Sequence, residues 1–119
     1  MVKAVRGAVQ VDSDDKNMIS SEITGMLKQI ITVNNIEIPD IVSIFFTVTT
    51  DLKSVNPAAA LRAGGGFADT PLFCAQEPDT QGAMKRVIRV LLTCDNLEPA
   101  RKMSHIYLGG AEKLRPDLS

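Results

Sequence analysis

Residues 87–92 read Val87-Ile88-Arg89-Val90-Leu91-Leu92, a run with the aliphatic and β-branched content of a buried strand that nevertheless carries a guanidinium. Burying an unpartnered ion costs several kcal/mol even after relaxation. Arginine has no escape through proton loss at ordinary pH. A protein carboxylate or a bound anion must therefore answer Arg89. The turn residues Pro78-Asp79-Thr80-Gln81-Gly82 precede the run, which predicts a strand over residues 84–94.

Near the N-terminus, Val2, Ala4, Arg6 and Ala8 alternate with Val5, Gly7, Val9 and Val11, which predicts a first strand over residues 2–11 with Arg6 on a small, apolar face. Asp12-Ser13-Asp14-Asp15 supplies N-cap candidates and acidic first-turn residues. Ile19, Ile23, Met26, Leu27, Ile30 and Ile31 then recur at helical spacing, so the main amphipathic helix is expected over residues 14–33, ended by Asn34-Asn35. Residues 41–49 read as a central strand whose continuous apolarity implies cover on both faces. Asn56-Pro57 starts a short helix through Arg62, closed by Gly64-Gly65-Gly66. That glycine run lacks the lysine and Ser/Thr of a phosphate loop and reads as a turn. Further strands are expected at residues 71–77 and 104–108, with one helical turn at 111–114.

At 119 residues the chain fits one domain, residues 1–119, and folding should bury roughly two-thirds of the unfolded surface. With 13 Lys+Arg against 14 Asp+Glu, nothing in the bulk charge draws the protein to nucleic acid or to an anionic membrane, and neither is expected as a partner. The first residues lack a signal-peptide core and no 18-residue apolar run exists, so a cytoplasmic location is expected. Cys74 and Cys94 form no disulfide framework, and with His105 as the one histidine neither a metal site nor a nucleophile–base pair is expected. His105 reads as a surface or interface histidine, and Cys94 as a small buried hydrophobe.

Five strands, one long helix and one short helix describe an α+β domain with the helices on one face of a mixed sheet. The helices cannot cover both apolar faces. The second face is therefore expected to be buried against other subunits.

Taken in order, Val5-Arg6-Gly7-Ala8, Pro57-Ala58-Ala59-Ala60-Leu61-Arg62, Cys74-Ala75-Gln76-Glu77, Ile88-Arg89-Val90, His105-Ile106-Tyr107-Leu108 and Leu114-Arg115-Pro116-Asp117-Leu118 closely resemble the monofunctional chorismate mutases of the trimeric pseudo-α/β-barrel type. The resemblance spans essentially the whole chain. It implies a homotrimer with sites between adjacent subunits, where chorismate becomes prephenate by an intramolecular Claisen rearrangement without cofactor, metal or covalent intermediate. Prephenate then supplies phenylalanine and tyrosine synthesis. A substrate with two carboxylates, and a transition state with charge on the breaking ether oxygen, call for fixed cationic donors.

By the same resemblance, Arg89 hydrogen-bonds the ether oxygen and a carboxylate, Arg6 and Tyr107 hold the enolpyruvyl carboxylate, and Glu77 and Cys74 contact the ring hydroxyl. Arg62 and Arg115 stand near the pocket mouth, and Ala58, Leu72 and Leu114 match its wall. Three positions depart from the better-known members: Ala59 replaces a lysine, Asn56 a phenylalanine and Phe73, at a substrate-binding position, a threonine. The loss of a cation and of an aromatic wall leaves open a non-catalytic trimeric module for small carboxylates. An enamine or imine deaminase on a related trimeric architecture fits the quoted blocks less well.

Overall fold

The computed structural model describes residues 1–117, so Leu118 and Ser119 lie outside the described residues. Strands β1 (Lys3–Gln10), β2 (Ile41–Val48), β3 (Leu72–Gln76), β4 (Val87–Cys94) and β5 (Ile106–Leu108) form one mixed sheet in the order β3-β2-β4-β1-β5. The strand that carries Arg89 is central, antiparallel to β1 and to β2. The edge strands β3 and β5 run parallel to β2 and β1. Helices α1 (Lys16–Val33) and α2 (Pro57–Ala63) complete the α+β arrangement that the alternating patterns predict. A 3-10 turn over Ile38–Asp40, with Pro39 in its first positions, was not anticipated, whereas that over Ala111–Leu114 was.

Helix α1 starts later than residue 14. The Asp15 side chain caps it by accepting from the amides of Asn17 and Met18, at 3.0 and 3.2 Å. Asp14 turns instead to the loop before α2 and accepts from the Lys53 and Ser54 amides, each at 3.0 Å. A bond from the Ser54 side chain, with these amides, holds the Asp14 carboxyl below its ordinary range. The expected acidic first turn is therefore absent. Strand β4 likewise begins at Val87, because Arg86 sits at φ 55° and gives its amide to the Asp51 carboxylate.

The buried face follows the alternation. Val5 and Val9 of β1, Ile44 and Phe46 of β2, and Ile88, Val90 and Leu92 of β4 pack with Ile19, Ile23, Met26, Leu27 and Ile30 of α1. Gly7 allows this approach: a Cβ there would lie 2.8 Å from Val90 Cγ1 and 2.9 Å from Ile30 Cδ1. At the end of α1, buried Asn34 donates to the carbonyls of Ile30 and Ser104 and accepts from the Ser104 amide. Those bonds use the backbone of Ser104 and delay β5 to Ile106.

The opposite face is largely open in the protomer. Phe45, Leu91 and Phe73 are 39%, 45% and 69% exposed there, and the two phenylalanine rings lie 5.9 Å apart. Cover on both faces of β2, expected from its apolar run, is thus not achieved within one chain. At one end of this face Ala8, Val87, Tyr107 and Ala111 form a small second cluster, with Met84 and Leu114 packed against it. Among the described residues no helix is long and apolar enough to cross a membrane.

Candidate active site

Strand register builds the site on the open face. Thr47 of β2 is paired with Arg89 of β4, Arg89 with Ala8 of β1, and Ala8 with Tyr107 of β5, which sets these four side chains in one row across the sheet. The neighbouring row holds Phe73, Phe45, Leu91 and Arg6. Ala8 contributes only a methyl group between Arg89 and Tyr107. The row can therefore be concave at its middle. Arg6, Gly7, Phe45, Thr47, Arg89, Val90, Leu91 and Tyr107 line an open pocket of about 300 Å³.

Glu77 follows the end of β3, where its amide donates to the Val48 carbonyl at 2.8 Å. Its carboxylate thereby reaches the row. Oε1 lies 3.2 Å from Arg89 Nε and accepts from Thr47 Oγ1 at 2.5 Å. Arg89 also lines an adjoining recess of about 220 Å³ that includes Glu77, Thr49, Met84 and Val87. Of the two anions that could answer Arg89, a protein carboxylate is thus present. Full burial of the guanidinium is not: its side chain is 45% exposed, because only the opposite side of β4 meets the helices.

Arg6 projects from the same face, and its backbone amide donates to His105 Nδ1 at 2.9 Å. Accepting at Nδ1 leaves the neutral ring's proton on Nε2. Desolvation, followed by the charges of Arg6 and Arg115, pushes the His105 pKa down. His105 therefore anchors β1 beside β5, a task that its surface or interface reading did not contain. Leu114 packs against the Tyr107 cluster. Arg115 forms a two-pronged pair with Asp117, at 3.1 and 2.9 Å, which raises the guanidinium's pKa and lowers the carboxyl's.

The remaining site residues fall elsewhere. Leu72 and Cys74 alternate away from Phe73 and pack against the helix-side core, while Ala58 is buried within it. Cys74 Sγ accepts from Asn56 Nδ2 at 3.1 Å, and Asn56 Oδ1 caps α2 through the Ala59 amide. Arg62 is exposed on α2. One chain thus brings together Arg6, Glu77, Arg89, Tyr107 and Leu114. It leaves Ala58, Arg62, Leu72 and Cys74 around α2 and the β3 edge. Thr47 and Phe45 were missed as pocket-lining residues because their use depends on cross-strand register.

The geometry offers one preorganised guanidinium, a second arginine beside a tyrosine and one fixed carboxylate acceptor. Such a set can hold an anionic substrate and stabilise charge that develops next to Arg89. Among the described residues no group of three or more His, Cys, Asp or Glu side chains is placed to hold a metal ion.

The family model described as chorismate mutase type I matches residues 2–118. A protein named chorismate mutase AroH from Bacillus subtilis is 36% identical over 119 residues, covering 100% of this chain and 94% of the relative. One of the same name from Thermus thermophilus is 37% identical, covering 99% and 97%. The solved structure of a chorismate mutase from Clostridium thermocellum superposes with a TM-score of 0.87 at 36% identity, covering 93% of this chain and 98% of that one.

Proposed function

The chain belongs to the type I chorismate mutase family and converts chorismate to prephenate; on that premise we propose that its catalytic half-site is the sheet face bearing Arg6, Glu77, Arg89 and Tyr107. The observation that carries this reading is the Arg89–Glu77 pair, in which Arg89 is set in register between Thr47 and Ala8 on the open face.

The reaction breaks the ether C–O bond of chorismate as a new C–C bond forms within the same molecule. No proton or electron need be exchanged with the protein. What remains for the protein is to hold the reactive conformer and to stabilise negative charge on the departing ether oxygen. Arg89 faces Glu77 with Nε as an ion pair, and its terminal N–H groups are available to the ether oxygen and a carboxylate. Arg6 and Tyr107 take the enolpyruvyl carboxylate, and Glu77 accepts from the ring hydroxyl.

The site is completed by a neighbouring copy of the chain in a homotrimer. Two observations support this. Phe45, Leu91 and Phe73 leave an apolar face that a single chain does not cover. The residues Ala58, Arg62, Leu72 and Cys74, with Asn56 and Ala59, lie around α2 and the β3 edge rather than with Arg89. A second subunit brings that edge to the first subunit's arginines.

Subunit mixing tests the shared site. Arg89→Ala and an Ala59→Glu/Arg62→Glu variant are each expected to be inactive, the second because two carboxylates repel the substrate. Refolded together at equal amounts, they should recover about a quarter of wild-type activity, since every mixed trimer then holds one intact interface. No recovery in trimers shown to be mixed would place the whole site within one chain.

A further inference from the structure

We infer that Thr47 is a positioning residue for Glu77, and through it for Arg89; the inference rests on the site proposed above. Thr47 lies on β2 between Ala75 of β3 and Arg89 of β4 in the register of the sheet. It lines the pocket, and its hydroxyl donates to Glu77 Oε1 at 2.5 Å, a short O–H···O⁻ bond. The same oxygen faces Arg89 Nε at 3.2 Å. One hydroxyl donor and one guanidinium, from two strands, thus converge on one carboxylate oxygen.

This has consequences at both ends of the pair. Oε1 carries both protein contacts, so Oε2 retains acceptor capacity for a substrate hydroxyl. The carboxylate is held at its angle by a β-branched side chain with few accessible rotamers. Arg89 is in turn held through Nε, which orients its planar fork toward the pocket. With the arginine 45% exposed, its own packing is too sparse to fix that orientation. Thr47 spends its one proton on Glu77. Its role is to aim the other two side chains.

The test is a double-mutant cycle. Thr47→Val keeps shape and strand preference but removes the donor, and it should lower kcat and the affinity for a dicarboxylate transition-state mimic about 10-fold, the scale of one bond to a charged group. KM and the thermal midpoint should change little. Thr47→Ser, which restores the donor, should recover most of the loss. In a Glu77→Gln background the Thr47→Val loss should shrink to less than about 3-fold, because the two act as one unit. Wild-type kinetics in Thr47→Val, or an equal loss in both backgrounds, would overturn the inference. If valine prevents assembly, Thr47→Ala enters the same cycle. Full activity in Glu77→Gln alone would instead overturn the underlying site assignment.

Discussion

Arg89 Nε lies 3.2 Å from Glu77 Oε1, on side chains that are 45% and 25% exposed. A pair this open to water contributes only about 0–1 kcal/mol to folding. Its value is orientation rather than stability. Glu77→Ala should therefore keep the oligomer and shift Tm by less than about 5 °C while damaging turnover. Thermal unfolding and steady-state kinetics on the same preparation check this. Collapse of the fold would make the pair a structural one.

Gly7 lies directly beneath α1, where a Cβ would meet Val90 Cγ1 at 2.8 Å, Ile30 Cδ1 at 2.9 Å and Met26 Sδ at 3.3 Å. Gly7→Ala should destabilise the protein by about 1–3 kcal/mol, the usual cost of overpacking a filled core. Chemical denaturation measures it. A change within error would mean that α1 shifts freely on the sheet.

His105 links pH to stability. Burial, then Arg6 and Arg115, lower its pKa in the folded state, so the unfolded chain binds the proton more readily. The resulting stability is fully present above the unfolded value of about 6.5 and is lost as pH falls through the lower folded value. Protonation also removes the acceptor for the Arg6 amide. Melting temperatures should decline between pH 7 and 5, and His105→Gln should flatten that decline. Asp14, whose folded pKa is likewise depressed, is distinguishable, because its contribution is lost only as pH falls below about 4.

Ala59 occupies an exposed position on α2, where the family resemblance implies a lysine. Ala59→Lys adds a cation to the α2 half of the proposed shared site without disturbing the Asn56 cap, which uses the Ala59 amide. It should lower KM several-fold, and the gain should fade as salt rises. An unchanged KM would separate this position from the substrate.

The periodic parts of the fold were legible in the chain. Ile19, Ile23, Met26, Leu27 and Ile30 mark the buried face of α1, and the alternation through β1 and β4 separates Arg6 and Arg89 from the core. The start of α1 was less so. Four consecutive residues could cap it, and the choice is made by distant amides at Lys53 and Ser54. Arg86 shortens β4 for a similar reason, since its left-handed backbone is held by Asp51. At the site, the apolar run around Arg89 called for a carboxylate or a bound anion, and the family resemblance supplied the roles of its neighbours. Thr47 went unnoticed because its meaning arises from pairing across three strands. The bond made by His105 was not legible because its partner is a backbone amide 99 positions away.

In the proposed site Arg89 stabilises the breaking ether oxygen. Loss of chorismate followed by ultraviolet absorbance, with prephenate identified as product, should show turnover by the wild-type protein. Arg89→Ala should lose at least about 10²–10³-fold, the scale for one preorganised donor. Arg89→Lys should also be severely impaired, since an ammonium keeps the charge and loses the planar fork. Near-wild-type turnover by a folded Arg89→Ala oligomer would remove Arg89 from the chemistry.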